Sequence, residues 1–206
     1  LYRMTDDRRE LRFEIVRTDS LDIALGGTTG KQINFPNVPL YQANGEPNDA
    51  MVAAHAAIRE RTVNIADAYA EQGFDFSGTH AFDQRTGYRS QSFLAVPMKD
   101  HEGDVIGVLQ LINAIDTPGG QVVPFSPADQ RLAESLASQA AVALSNRQLV
   151  AQLETLFESF IKLINLAIDE KSPYTGGHCQ RVPELTMMLA EAADATQEGP
   201  LAGFRL

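Results

Sequence analysis

The residues best equipped for chemistry are few and unevenly placed. Between Gly73 and Tyr88 the chain is rich in glycine, aromatic and polar side chains: Phe74, Phe76, His80, Phe82, Asp83 and Arg85. Those types offer ring faces for stacking and one imidazole, carboxylate and guanidinium for polar recognition. The other histidines are scattered. His55 sits among alanines, where it reads as a core or edge residue rather than a ligand. His178 stands in Gly176-Gly177-His178-Cys179-Gln180-Arg181. A metal centre of the di-iron kind needs several His and Asp ligands converging, and one histidine cannot assemble it. Cys179 is the single cysteine, so no internal disulfide can form, which fits a reducing, cytoplasmic setting.

The element that dominates the chain is a helix expected from Pro127 to Lys171, with no glycine and no proline after Pro127. At 1.5 Å per residue it would run roughly 66 Å. Phe125-Ser126-Pro127-Ala128-Asp129 supplies an N-cap serine, a proline at the first helical position and an acidic first turn. Leu132, Leu136, Gln139, Ala143, Asn146, Val150, Leu153, Phe157, Phe160, Ile164 and Ala167 follow at alternating spacings of four and three, a heptad seam. A second stripe, Ala133, Ala137, Ala140, Ala141 and Leu144, is small and apolar, suited to packing on a sheet. From Leu149 onward the seam needs a partner. The expectation is a parallel homodimer through helix 127–170, with Gln139 and Asn146 fixing register.

Ahead of the helix, Leu1 to Met4 and Leu11 to Thr18 read as a hairpin around the polar turn Thr5 to Arg9. Glycines 26, 27 and 30 and prolines 36 and 39 mark a loop-rich crossing. Asn48-Asp49 should cap a helix from Ala50 to Arg61, followed by a strand over Thr62 to Ile65 and a short helix over Ala66 to Ala70. Two strong strands, Ser92 to Met98 and Val105 to Ala114, flank the turn Lys99 to Asp104. Such an order describes an α+β domain with an antiparallel sheet.

The 206 residues give room for one domain and part of another, and 44 % hydrophobic with 21 % charged residues is an ordinary globular composition. The net charge of −10 argues against a nucleic-acid surface. No run of 18 apolar residues exists to form a membrane segment. The chain reads as a piece of a longer protein.

Several motifs in order resemble a GAF domain: Asn64-Ile65-Ala66-Asp67-Ala68-Tyr69, Asp83-Gln84-Arg85-Thr86-Gly87-Tyr88-Arg89-Ser90, Val96-Pro97-Met98, Gly107 to Asn113, and Ser138 to Leu144. The resemblance covers residues 1–148. It implies a central antiparallel sheet with helices behind it and a small-molecule pocket in front. That pocket would be walled by the segment from Asn64 to Tyr88. Asn64, Asp67, Tyr69, Phe74, Phe76, Phe82, Arg85 and Asn113 are then the expected ligand-binding residues, the aromatics stacking on a base and Asp67 or Arg85 reading its edges. The alternative, that Phe74, Phe76 and Phe82 simply close a small core, stands beside it. The cyclic-nucleotide-binding GAF domains of phosphodiesterases carry an Asn-Lys, Phe, Asp-Glu signature. Asn113, Phe125 and Asp129 match it, while Ala114 and Gln130 depart from it, so a cyclic nucleotide is one ligand in view. A bilin would need a cysteine inside the domain, where there is none, and His80 is a poor candidate for a haem ligand.

After the helix, Pro173-Tyr174-Thr175-Gly176-Gly177-His178-Cys179-Gln180-Arg181-Val182 resembles the start of an HD-GYP domain, a metal-dependent phosphohydrolase of the HD superfamily that hydrolyses cyclic di-GMP. The resemblance implies that His178 is a metal ligand in the parent protein, for a divalent ion of the iron or manganese type. The family's His-Asp pair and Gly-Tyr-Pro signature do not occur here, so this chain by itself is expected to be catalytically silent and without a cofactor. The organisation expected is a sensory domain (1–148), a helical linker (149–171) and the first helices of an all-α HD domain (172–206). The function expected is ligand sensing that controls a C-terminal bacterial phosphodiesterase. The alternative is a ligand-free GAF domain acting as a dimerisation platform.

Overall fold

The computed structural model describes residues 1–116, 119–171 and 177–206. Its contacts divide the chain into two compact units, Leu1–Asn146 and Arg147–Leu206. Strands β1 (Tyr2–Met4) and β2 (Glu10–Phe13) form the expected hairpin, with Tyr2 opposite Phe13 and Met4 opposite Leu11. β5 (Val38–Pro39) joins β2 at one edge, and β8 (Val105–Ile112), β7 (Phe93–Lys99) and β6 (Val63–Ile65) complete a six-stranded antiparallel sheet in the order β5-β2-β1-β8-β7-β6.

The second arm of the hairpin is shorter than the sequence suggested. The Leu1 carbonyl accepts from the amides of both Glu14 and Ile15, and the pairing with β1 changes there. β3 (Ile15–Thr18) pairs instead with β4 (Ile23–Gly26) in a separate two-stranded sheet. A second small sheet joins β9 (Ala114–Ile115) to β10 (Val122–Val123).

β7 is buried on both faces and so sets the two layers of the core. Phe93 and Ala95 face a cluster with Tyr2, Leu11, Ile65, Val108 and helix α1 (Val52–Ile58). Leu94, Val96 and Met98 face Ala133, Ala137 and Ala141 of helix α3 (Pro127–Lys171). The alternation is the period of two expected of a strand between layers. The small-residue stripe lets α3 approach the sheet closely.

α1 is shorter than the predicted helix because its caps are used elsewhere. Asn48 Nδ2 donates to Pro39 O at 2.7 Å, Asp49 pairs with Arg59, and the N-cap position falls to Met51, which has no side-chain cap. Glu60 at φ 53° ends the run. The short helix expected over Ala66 to Ala70 is a turn, since Asp67 Oδ1 takes the Tyr69 amide at 2.9 Å. Conversely, helix α2 (Ser77–Thr86) forms where no helix was expected. Its signals were Asp75, whose carboxylate accepts the Ser77 amide, and Gly87, whose φ of 71° closes the C-terminus.

α3 begins and ends at the residues read from the sequence. Ser126 and Asp129 cap it reciprocally, the Ser126 amide donating to Asp129 Oδ2 at 2.8 Å and the Asp129 amide to Ser126 Oγ at 3.2 Å. Helix α4 (His178–Asp194) follows, with Gly177 as a left-handed N-cap. Pro173 and Gly176, expected to stop one helix and turn toward the next, lie outside the described residues. No helix of the described residues is long and apolar enough to cross a membrane.

Candidate functional site

The expected binding residues divide among hydrogen-bonded positions at Asn64, Asn113 and Tyr69, core positions at Phe74 and Phe76, and α2 positions at Phe82 and Arg85. Asn64, on β6, turns its amide to the start of α3, donating to Phe125 O at 3.2 Å and Gln130 Oε1 at 3.3 Å. Gln130 in turn donates to Glu134, which accepts from Thr62 at 2.8 Å. These hydrogen bonds tie β6 to the first turns of α3 and hold the Glu134 carboxyl below its ordinary range, Thr62 contributing most. The signature positions thus act structurally: Phe125 packs beneath α3, and Asp129 closes its cap.

Asn113 forms a second place. At φ 63° it sits in the left-handed region that asparagine tolerates. Its Oδ1 accepts the amides of Gln91 (2.7 Å) and Ser92 (3.2 Å), while Nδ2 donates to the Tyr88 hydroxyl and the Arg89 carbonyl. One side chain therefore fixes the path from Tyr88 to Ser92.

The third place gathers Tyr69 with residues outside the expected binding set. The turn at Asp67 presents the Tyr69 ring, half of it open to solvent, and Arg89 lies over that ring, its guanidinium carbon 4.2 Å from the centroid. The imidazole of His80, from α2, stacks on Tyr69 at 4.4 Å. The tyrosine hydroxyl donates to Asp83 Oδ2 at 2.7 Å, which raises the phenol above its usual range. Asp83 is 4 % exposed and has no cation partner among the described residues. It is satisfied instead by that hydroxyl, the Ser90 amide (2.7 Å) and the Ser90 hydroxyl (2.8 Å). α2 supplies His80 and Asp83 one helical turn apart on one face. Both stood in the polar-aromatic segment singled out by residue type; what the sequence left open was the helix that puts them on one face.

Phe76 is buried and packs on Phe93 at 5.1 Å, with Phe74 partly buried beside it at 6.5 Å. Both pack into the core cluster. Phe82 is half-buried on α2, and Arg85 is exposed, its Nε donating to Ala81 O of its own helix. Two buried imidazole nitrogens lack a well-formed hydrogen bond among the described residues. One is His55 Nδ1, which nonetheless lies 2.9 Å from Asp49 Oδ1; the other is His80 Nε2, which has no hydrogen-bond partner among the described residues.

His178 is exposed at the start of α4. Among the described residues the group of three possible metal ligands within reach of one another is Asp100, Glu102 and Asp104, in the β7–β8 turn, and it does not include His178. Asp100 Oδ1 already accepts the amides of Glu102 and Asp104.

This sheet, with α3 behind and a polar-aromatic cluster beside α2, defines a small α+β domain. The GAF domain family model matches residues 23–144, and the chain belongs to that family. The chain is 34 % identical over 116 residues to dual 3',5'-cyclic-AMP and -GMP phosphodiesterase 11 of Drosophila melanogaster, covering 56 % of this chain and 7 % of that protein. It is 26 % identical over 154 residues to the corresponding phosphodiesterase 11A of Takifugu rubripes, covering 73 % of this chain and 16 % of that protein. The match thus spans a small part of either relative. Among solved structures, the GAF domain of an Acinetobacter phosphoenolpyruvate-protein phosphotransferase is similar at 17 % identity and a TM-score of 0.45, covering 73 % of this chain and 72 % of that one. The corresponding domain from Coxiella burnetii is similar at 15 % identity and 0.39, covering 56 % and 67 %.

Proposed function

We propose that this chain is a regulatory GAF domain that senses a small planar molecule at the Tyr69–His80–Arg89 stack and works as a pair through α3. The observation that carries the ligand reading is His80 Nε2, buried between aromatic rings with no hydrogen-bond partner among the described residues. Such an atom costs on the order of 1–3 kcal/mol when left unpaired. A ligand N–H or hydroxyl reaching it would recover that cost, and Arg89 offers an outer face for a heterocycle. Cyclic nucleotides are the first class to test, because the phosphodiesterases that the chain resembles act on cyclic AMP and cyclic GMP. The departure of Ala114 and Gln130 from the phosphodiesterase signature makes cyclic dinucleotides part of the same panel. The motif from Pro173 to Val182 supports an HD-GYP phosphodiesterase as the output domain, with His178 among its metal ligands in the parent protein.

A second reading has its own support. The space in front of the sheet is filled by Phe76, Phe93, Leu11 and the α1 alanines, which suits a domain that pairs without a ligand. A thermal-shift panel of cyclic mono- and dinucleotides separates the two. The sensor reading expects one compound to raise Tm in the natural chain and to do so far less in His80→Ala. No shift with any compound would leave the pairing platform.

A further inference from the structure

A second cleft lies apart from the stack, and two guanidiniums line it. About 630 Å³ in volume and open to solvent, it is lined by Asp49, His55, Arg59, Arg61, Gly73 and Phe74. Two guanidiniums face one carboxylate, in a chain whose net charge is −10. Asp49 is fully engaged: Arg59 Nε donates to its Oδ1 at 2.9 Å, a second Arg59 nitrogen contacts Oδ2, and His55 Nδ1 lies 2.9 Å away. That fork holds the Asp49 carboxyl below its ordinary range. Of the acidic residues nearby in sequence, only Glu60 has a cation partner among the described residues. Glu71 accepts the amides of Gln72 and Gly73, and Glu60 pairs with Lys99 at 2.8 Å.

Among the described residues Arg61 has one hydrogen-bond partner, His55 Nε2 at 3.0 Å. A guanidinium has five N–H donors, so most of its capacity points to solvent. His55 stands edge-on to the Phe74 ring at 5.3 Å, which places an apolar ring at the wall of the same cleft. A guanidinium with open donors beside an aromatic wall suits one kind of ligand. It carries an anionic group on a flat apolar body.

We propose that this cleft is a binding site for an aromatic or heterocyclic phosphate, its phosphoryl oxygens taken by Arg61 and its ring laid against Phe74. Arg59, held by Asp49, and His55 position Arg61 and close the floor. The site is separate from the stack at Tyr69 and stands whether or not that cluster takes a ligand.

Phenyl phosphate is the probe, titrated into the full chain by calorimetry with the histidine side-chain NMR signals followed in parallel. One-to-one saturable binding is expected, with the His55 signals moving, a loss of at least tenfold in affinity for Arg61→Gln, and no change for the exposed control Arg85→Gln. Phe74→Leu should weaken phenyl phosphate but leave inorganic phosphate where it was. Absence of saturation, an equal loss in Arg85→Gln, or binding that leaves the His55 signals unmoved would each overturn the site. Unchanged circular dichroism of Arg61→Gln separates lost binding from lost folding.

Discussion

Asp83 is the residue on which the Tyr69 cluster depends. Its carboxylate is buried and answers three donors, so replacing it strands the Ser90 amide, the Ser90 hydroxyl and the Tyr69 hydroxyl together. Asp83→Ala should cost about 2–3 kcal/mol of stability in urea unfolding, and Tyr69→Phe, which removes one exposed-side donor, about 1 kcal/mol or less. A different test concerns charge. Asp49, Asp129 and Glu134 all have carboxyl groups lowered by hydrogen bonds that exist only in the folded chain. A lowered folded pKa means that the stabilisation is complete above the unfolded value of about 4 and is lost as pH falls through the folded one. Tm should therefore be flat from pH 7 to about 5 and fall below it. A Tm that rose on acidification would contradict these assignments. At this scale the sequence was informative where a side chain serves its own neighbourhood, as with Ser126 and Asp129. It marked Asp83, Arg89 and Ser90 within a motif but not their contacts, because their partners come together only when α2 and the turn at Asp67 meet.

Among the elements, α3 shows two faces with different fates. Ala133, Ala137 and Ala141 are nearly inaccessible, while Leu132 and Leu136 on the neighbouring stripe are 62 % and 48 % exposed. Ala137→Leu should force the helix off the sheet at a cost of about 1–3 kcal/mol, seen as a lower urea midpoint. Leu136→Ala should leave that midpoint within about 0.5 kcal/mol when measured at concentrations where the chain is a single copy. Ser126→Ala should cost about 1 kcal/mol by removing the cap. Both stripes of α3 were legible beforehand because a helix of this length repeats its pattern many times over. The β3–β4 pair and α2 were not. A four-residue strand carries too little periodicity to reveal its partner, and α2 is polar enough that its start and stop residues were its clearest marks.

For the molecule as a whole, the exposed seam continues past Asn146 through Val150, Leu153, Phe157, Phe160 and Ile164, each 41 % exposed or more. A run of large apolar side chains of that length is the mark of an association surface, and its heptad spacing fits a second copy of the same helix. In such a pair, a change in the grip of Asn64 and Gln130 on the first turns of α3 would act on a helix that two chains share. The most direct measurement is the mass in solution by light scattering at tens of micromolar. Pairing predicts twice the 22.5 kDa chain mass, falling to one chain in Leu153→Glu/Phe157→Glu with circular dichroism unchanged. A natural chain that stays at 22.5 kDa throughout that range would contradict it.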